Sequence, residues 1–299
     1  MKRATFVVLR VIALTIVLFV CFAVAGGAVG FAGDSQASGQ TGASTLLLLA
    51  VCLLQVMVMT HLILRSRWTG WRLVEAVFFV FYGVTTFMPQ IESAVFLTRL
   101  PPGTLPRLFL MGVLIAVPFS VLSVLILGKR KAKIVDTMPN SRPVMPASEW
   151  AWKLVVIAVV YVILYFTFGY FVAWRHTGVP EYYGGVDPGS FVAQMRTVTR
   201  NTPWLIPFQI VRAMCWVALA LPVIRMLKGK WPEAALSLGL LFAVVMNAPL
   251  LLPNPYMPEP VRMAHLVETA SSNLIFGVFI GWLLTWHDSP EVRVAPAMS

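Results

Sequence analysis

His265 and Glu268 are the residues of this chain whose types and spacing most directly indicate chemistry. Residues three apart lie on the same side of an α-helix, and an imidazole beside a carboxylate can move protons or help to bind a metal ion. The pair lies early in a mostly apolar stretch from Pro253 to Trp286. If this stretch crosses a membrane, each ionisable side chain costs at least about 2.5 kcal/mol unless it is paired or wetted. The pair is therefore a candidate functional site.

The polar residues around this pair fall on one side of the predicted helix. At about 100° of rotation per residue, the polar groups of its first turns share an arc of roughly 140°. These residues are Arg262, His265, Glu268, Thr269, Ser272 and Asn273. Polar side chains in a membrane helix normally face the interior of the bundle. The arc predicts either a polar site between helices or hydrogen bonds that only tie the last helix into the bundle.

The composition of the chain is that of a membrane protein. Of its 299 residues, 59% are hydrophobic and 12% are charged, whereas soluble domains average about 25% charged residues. Long apolar runs alternate with short polar loops, and helices are the elements that satisfy backbone hydrogen bonds over runs of this length in lipid. The sequence therefore predicts an all-α fold, a polytopic transmembrane helical bundle.

The distribution of Lys and Arg predicts the orientation of the spans. These residues concentrate in alternate short loops, at about 2–3, 65–72, 129–153 and 225–230. Because cytoplasmic loops carry such an excess, we expect about eight spans in the plasma (inner) membrane with both termini cytoplasmic. The formal net charge of +11 follows this loop pattern, so no nucleic-acid partner is expected.

The longest basic connection divides the predicted bundle. We expect a single integral membrane domain over 1–299, built from two four-span halves at about 1–133 and 149–288. The cytoplasmic loop 134–148, which contains three prolines, joins the two halves.

The first apolar stretch has two interpretations. The small residues from Ala23 to Ala25 fit a signal-peptide cleavage site, but the apolar run continues through Gly26 and Gly30, which favours a retained helix. These glycines have G-x-x-x-G spacing, as do Gly277 and Gly281. Because such pairs let another helix approach closely, either face is a candidate oligomer contact.

Other predicted spans carry polar residues at a similar depth. Glu92 lies at the outer end of the third span, Gln209 and Arg212 lie in the sixth, and Asn247 lies in the outer third of the seventh. We expect these side chains to converge with the polar arc of the last span. The resulting site would open to the extracytoplasmic side.

Three chemistries fit these residues. Glu92, His265 and Glu268 are candidate catalytic residues for acid–base work. The same three are candidate ligands of a divalent metal such as Zn, with an open position for water. Arg212 or Arg262 could instead bind a carboxylate or phosphate headgroup.

A further set of polar residues is predicted to bind substrate. The set is Gln209, Arg212, Asn247, Arg262 and Asn273. The simplest alternative is structural, with Glu92 or Glu268 paired to an arginine inside the bundle.

The one-sided placement of these residues favours a membrane-embedded enzyme that acts on a lipid or lipid-linked substrate. Such an enzyme needs access from only one side, whereas a transporter needs access from both. A secondary transporter or channel for a small molecule or ion is the first alternative, and a non-catalytic membrane subunit or sensor is the second. Whether the chain is an enzyme stays open from the sequence, and membrane lipids are the expected partners.

Overall fold

The computed structural model describes residues 2–30, 42–97, 100–131, 143–176, 178–185, 189–253 and 256–286. Within these ranges the chain forms helices and no β-strand, and eight of the helices are long and apolar enough to cross a membrane. The predicted all-α membrane bundle is therefore confirmed. Most of the predicted connecting loop 134–148 lies outside the described residues.

The helices are numbered in chain order, with ten in the described ranges. They are α1 (Lys2–Ala28), α2 (Gly42–Arg65), α3 (Gly70–Phe96), α4 (Thr104–Ile126), α5 (Ala147–Ala173), α6 (Gly178–Tyr182), α7 (Phe191–Asn201), α8 (Leu205–Met226), α9 (Trp231–Leu251) and α10 (Glu259–Thr285). The short helices α6 and α7 connect α5 to α8, and the other eight are the spanning helices. We call the end where α3, α5 and α9 finish the upper end, and the opposite end the lower end.

The third spanning helix contains Pro89, and a proline inside a helix usually kinks or ends it. Instead, α3 continues through this proline to Phe96. The residues from Gly83 to Phe87 form a π-helical turn, in which the backbone N–H of Met88 donates to the carbonyl of Gly83. The wider turn accommodates the proline ring, which would clash with a carbonyl in a regular helix. Glu92 therefore lies on an uninterrupted helix.

Three spanning helices in the described ranges contain a π-helical segment. The segments are Gly83–Phe87 in α3, Gly169–Ala173 in α5 and Leu241–Val245 in α9. Gln55 in α2 donates from Nε2 to the carbonyl of Val245 at 2.9 Å, which joins α2 to the π-helical segment of α9. Segments of this kind are frequent at functional sites, and all three precede or adjoin the polar residues of the upper end.

The G-x-x-x-G pair of the last helix packs inside the chain. A Cβ atom added at Gly277 would lie 2.6 Å from the backbone oxygen of Leu238, and one added at Gly281 would lie 2.4 Å from Cα of Ala235. This face is therefore filled by α9 and leaves no room for a second copy. At Gly26 an added Cβ would meet nothing within 4 Å, and an oligomer through the Gly26 and Gly30 face remains a prediction.

Backbone contacts join the connections at the lower end. The backbone N–H of Arg67 donates to Met226 at 2.6 Å, and that of Gly70 donates to Lys129 at 2.8 Å. An ion pair between Arg65 and Glu233 adds a contact between α2 and α9. These contacts hold the lower ends of five helices together.

Candidate functional site

Three side chains form a hydrogen-bonded chain at the upper end. Nδ1 of His265 lies 2.7 Å from Oε2 of Glu268, and Nε2 lies 3.0 Å from the hydroxyl oxygen of Tyr183. A carboxylate beside Nδ1 accepts the proton of that nitrogen, so Nε2 of the neutral ring accepts from the tyrosine hydroxyl. The order hydroxyl, imidazole, carboxylate is one that supports proton transfer.

The histidine and glutamate of this chain are partly enclosed. The side chain of His265 is 20% exposed and that of Glu268 is 10% exposed. Gly169, where the π-helical segment of α5 begins, faces the carboxylate, because an added Cβ there would lie 3.5 Å from Oε1 of Glu268. A larger residue would press directly on the carboxylate. The site therefore uses a glycine where α5 passes close to α10.

Tyr183 is held over α10 by a small apolar cluster. Val179 in α6 is fully buried and packs with Val261 and Ala264 of α10. The hydroxyl of Tyr182 donates to the backbone oxygen of Tyr256, which joins α6 to the segment before α10. These contacts fix the position of the Tyr183 ring beside the histidine.

Tyr183 was not among the candidate site residues that the sequence predicted. Its role in the hydrogen-bonded chain was missed because the contact spans 82 residues of sequence. A local signal was available in the two glycines that follow it. Gly184 adopts φ = 67°, so the chain turns sharply after Tyr183 and can direct the ring towards α10.

Glu92 and Arg212 form an ion pair between α3 and α8. Nη1 and Nη2 of Arg212 lie 3.1 and 2.6 Å from the two carboxylate oxygens of Glu92, and Nη1 also donates to Oε1 of Gln209 at 3.0 Å. The arginine side chain is 3% exposed and the glutamate side chain is 29% exposed. The structural alternative left open by the sequence, a glutamate paired to an arginine, is thus the one found for Glu92.

The two asparagines predicted to bind substrate take part in contacts between helices. Asn247 donates from Nδ2 to the carbonyl oxygens of Phe242 and Ala243 at 3.1 and 2.9 Å, within the π-helical region of α9. Its Oδ1 lies 2.6 Å from the hydroxyl of Thr269 in α10. Nδ2 of Asn273 lies 3.1 Å from Sδ of Met246. These contacts hold α9 against α10 and leave little capacity for a ligand.

The carboxylates of Glu92 and Glu268 both influence Tyr183. Burial raises the pKa of the Tyr183 phenol above its usual range, and Glu92, Tyr182 and Glu268 raise it further. Glu92 also interacts electrostatically with His265. Glu92 of α3 and Glu268 of α10 therefore both act electrostatically on Tyr183.

The residues present do not fit the predicted metal site. Across the described part of the chain, no three His, Cys, Asp or Glu residues are grouped so that they could hold a metal ion. The third predicted ligand, Glu92, has both carboxylate oxygens bound to Arg212. His265 and Glu268 remain adjacent, but their contact is a hydrogen bond with each other. No step of the mechanism is therefore assigned to a metal.

A buried group of rings lies beneath the polar residues, near the middle of α5, α8, α9 and α10. We call Tyr161, Trp216, Phe242 and Phe276 the aromatic layer, and each is at most 6% exposed. The ring centroids of Tyr161 and Phe276 are 4.7 Å apart, and those of Trp216 and Phe242 are 4.3 Å apart. Nε1 of Trp216 donates to the hydroxyl of Tyr161 at 3.3 Å. Along each of these helices, the aromatic layer lies between the polar residues of the upper end and the lower half.

A groove opens at the upper end between α6 and the start of α10. Its volume is about 340 Å³, and it is lined by Gly178, Glu181, Tyr182, Pro258, Pro260 and Val261. These residues adjoin Tyr183 and Arg262 in sequence. The groove therefore lies beside the segments that carry Tyr183 and Arg262.

No family model matches the chain, and comparisons with curated proteins and with solved structures give no significant match. The function is accordingly inferred from the geometry of the site.

Proposed function

We propose that the chain is a membrane-embedded enzyme that acts on a lipid or lipid-linked substrate by acid–base chemistry. The observation that carries the proposal is the hydrogen-bonded order Tyr183, His265, Glu268. In this arrangement Glu268 fixes the tautomer and orientation of the imidazole. Nε2 of His265 is then the atom that accepts a proton from the tyrosine hydroxyl or from a substrate hydroxyl that takes its place.

The same three residues account for both halves of a proton-transfer cycle. When Nε2 accepts a proton, the imidazolium is stabilised by the adjacent Glu268 carboxylate. The imidazolium can return the proton to a leaving group. The neutral Tyr183 phenol can donate a hydrogen bond to negative charge that develops on the substrate.

One-sided access supports an enzyme over a transporter. The aromatic layer packs the middle of the bundle beneath the site, and Trp216 and Phe242 within it are fully buried. A lipid substrate reaches such a site from one leaflet and leaves by the same route. A transporter of this fold would have to open the aromatic layer to reach the other side.

The test is lipid mass spectrometry on membranes from cells that produce the wild type or a variant. We expect a lipid or lipid-linked species to change in the wild type, and its conversion to fall by about 10²- to 10⁴-fold in His265→Ala and Glu268→Gln, the usual range for general acid–base catalysis. Tyr183→Phe should also lower the rate. Each variant should be made in normal amounts and unfold near the wild-type temperature.

A second histidine–glutamate pair provides the matched control. Nε2 of His61 lies 3.8 Å from Oε1 of Glu233 at the lower end. His61→Ala removes the same imidazole group from outside the upper site and leaves the ion pair of Glu233 with Arg65 in place, so it should keep wild-type conversion. Equal conversion by His265→Ala and the wild type would contradict the proposal, and misfolding of both upper-site variants would favour the structural alternative.

Proton-coupled transport is the second candidate function. The three π-helical segments favour it, because the described helices α3, α5 and α9 all contain an irregular turn at which a helix can rearrange. The test is proton and solute flux in liposomes that contain the purified protein. Flux that depends on His265, together with an unchanged lipid composition, would show that the chain is a transporter and would contradict the proposed enzyme.

A further inference from the structure

Arg262 is a buried arginine that has no partner in the described part of the chain. Only 5% of its surface is exposed, and its Nε is enclosed without a hydrogen-bond partner. Among the described residues, none forms a hydrogen bond or ion pair with its guanidinium group. Even Glu259, in the same turn of α10, is exposed and forms no ion pair with it.

Arg212 is a second buried arginine, and it has partners within the bundle. It is as deeply buried, yet its two terminal nitrogens bind both oxygens of Glu92, and Gln209 accepts a further hydrogen bond. Its Nε also lacks a partner, but its charge is neutralised. A buried charge without a counter-charge is strongly unfavourable, and Arg262 is in that position.

We infer that Arg262 binds an anionic group, a phosphate or a carboxylate, of the ligand that enters the upper site. This rests on the proposed function and extends it by giving the chemical class of the substrate. A guanidinium group presents paired N–H donors that match two oxygens of such an anion. Arg212 was the other candidate from the sequence, but Glu92 already occupies that position.

The position of Arg262 suits a substrate whose reacting bond lies next to the anion. Arg262 lies three residues before His265 on α10, which places their Cβ atoms about 5–6 Å apart on neighbouring turns. An oxyanion held by the guanidinium therefore lies beside the imidazole. Arg262 also lies in the first turn of a 27-residue helix, where the helix dipole favours negative charge.

The first experiment measures thermal unfolding of the full-length protein in neutral detergent. The additives are inorganic phosphate, phosphatidylglycerol and, as the uncharged comparison, phosphatidylcholine. We expect phosphatidylglycerol or phosphate to raise the unfolding temperature of the wild type, and the apparent affinity of Arg262→Met to be at least about tenfold weaker. Arg196→Gln in α7 removes an exposed positive charge and should behave as the wild type.

The pattern of responses identifies the source of the anion. Stabilisation by phosphatidylglycerol alone indicates a lipid headgroup, and stabilisation by inorganic phosphate indicates a free or water-soluble oxyanion. Equal responses to phosphatidylglycerol and phosphatidylcholine, with none to phosphate, would overturn the inference. An unchanged response in Arg262→Met would overturn it as well.

A ligand-free measurement separates binding from structure. Arg262→Met removes an unpaired buried charge and keeps similar volume, so without ligand its unfolding temperature should equal or exceed that of the wild type. A marked decrease would show that Arg262 has a structural role and would contradict the inference. Arg262→Lys keeps the charge without the paired donors, and we expect it to fold and to bind phosphate more weakly than the wild type.

Variants of two residues distinguish this inference from the proposed function. His265→Ala should lose conversion and keep the response to the anion, because it leaves the guanidinium in place. Arg262→Met should raise the KM of the enzyme for an anionic substrate. If Arg262→Met has a normal KM while His265→Ala is inactive, the inferred anion site is wrong and the proposed enzymatic function is supported. If the wild type converts no lipid while Arg262→Met loses the response to the anion, the proposed enzyme is wrong and the anion site stands.

Discussion

The polar residues of the upper end differ in whether they have hydrogen-bond or ion-pair partners within the bundle. Glu92 and Arg212 neutralise each other across two helices, and Asn247 uses its amide to hold α9. His265 has a partner on each ring nitrogen. Arg262 has none in the described part of the chain. The first group stabilises the bundle, His265 joins two other residues of the hydrogen-bonded chain, and Arg262 has hydrogen-bonding capacity that a ligand can use.

The ion pair of Arg212 is expected to be important for stability. Arg212→Met leaves the Glu92 carboxylate without its counter-charge, which costs about 3–5 kcal/mol for a fully buried pair. Because the Glu92 side chain is 29% exposed, water reduces this penalty and the lower part of the range is expected. Denaturant unfolding in detergent gives the value. The double variant with Glu92→Gln should recover part of the loss, and an additive double variant would contradict direct coupling.

Tyr183 is expected to control stability at alkaline pH. Its phenol pKa is raised by burial, and then by Glu92, Tyr182 and Glu268, whereas an unfolded tyrosine titrates near pH 10. Above about pH 10 the unfolded chain therefore loses this proton first, and stability falls as the pH rises. Unfolding temperatures measured from about pH 8 to pH 11 should decrease more steeply for the wild type than for Tyr183→Phe. Parallel curves would contradict the prediction.

Two glycine substitutions test the packing of the spanning helices. Gly281→Ala places a Cβ 2.4 Å from the Cα of Ala235, and because backbone cannot move aside easily we expect a loss of about 1–3 kcal/mol. Gly26→Ala meets nothing within 4 Å and should be neutral or stabilising by up to about 1 kcal/mol, since alanine favours helix. Unfolding in the same detergent compares them. Equal effects would contradict the contact between α9 and α10.

Helix regularity determined how well sequence reasoning worked for each span. The described part of α10 contains no π-helical segment, and the predicted polar arc correctly placed His265, Glu268 and Thr269 towards partners in the bundle. At Pro89, where a proline can end a helix, α3 continues because a π-helical turn precedes it. Local periodicity cannot detect one widened turn.

Contacts between distant segments were beyond sequence reasoning. The polar residues were expected at one level, but which glutamate binds which arginine depends on helix packing that one sequence does not contain. Tyr183 depends on the docking of α6 through Val179. The helix α7 is the opposite case, because its apolar residues recur at helical spacing in the sequence.

The orientation of the whole molecule is a prediction from its basic loops. We propose that both termini lie in the cytoplasm, which the even number of spans among the described helices allows. Green fluorescent protein fused after Ser299 should fluoresce, and alkaline phosphatase at the same position should be inactive. A phosphatase fused in the segment between α6 and α7 should be active. The reverse pattern would show that the bundle has the opposite orientation in the membrane.

The alternative interpretation of the first span is tested on the same protein. If residues up to Ala25 are a signal peptide, the purified chain begins after that residue and α1 is lost. The described α1 is continuous to Ala28, and we expect the N-terminal sequence to begin at or next to Met1. Cleavage would place the new N-terminus outside and would leave the other spans unchanged.

The aromatic layer also has a consequence for membrane voltage. An electric field falls mainly across the dry part of a membrane protein, and here the dry part includes the closed layer formed by Tyr161, Trp216, Phe242 and Phe276. A proton that crosses the whole membrane exchanges about 2.3 kcal/mol with every 100 mV of potential. A proton that moves between Tyr183 and His265 stays on one side of the layer. The membrane potential therefore changes its free energy very little. The rate at this site should therefore be nearly the same in polarised and depolarised vesicles.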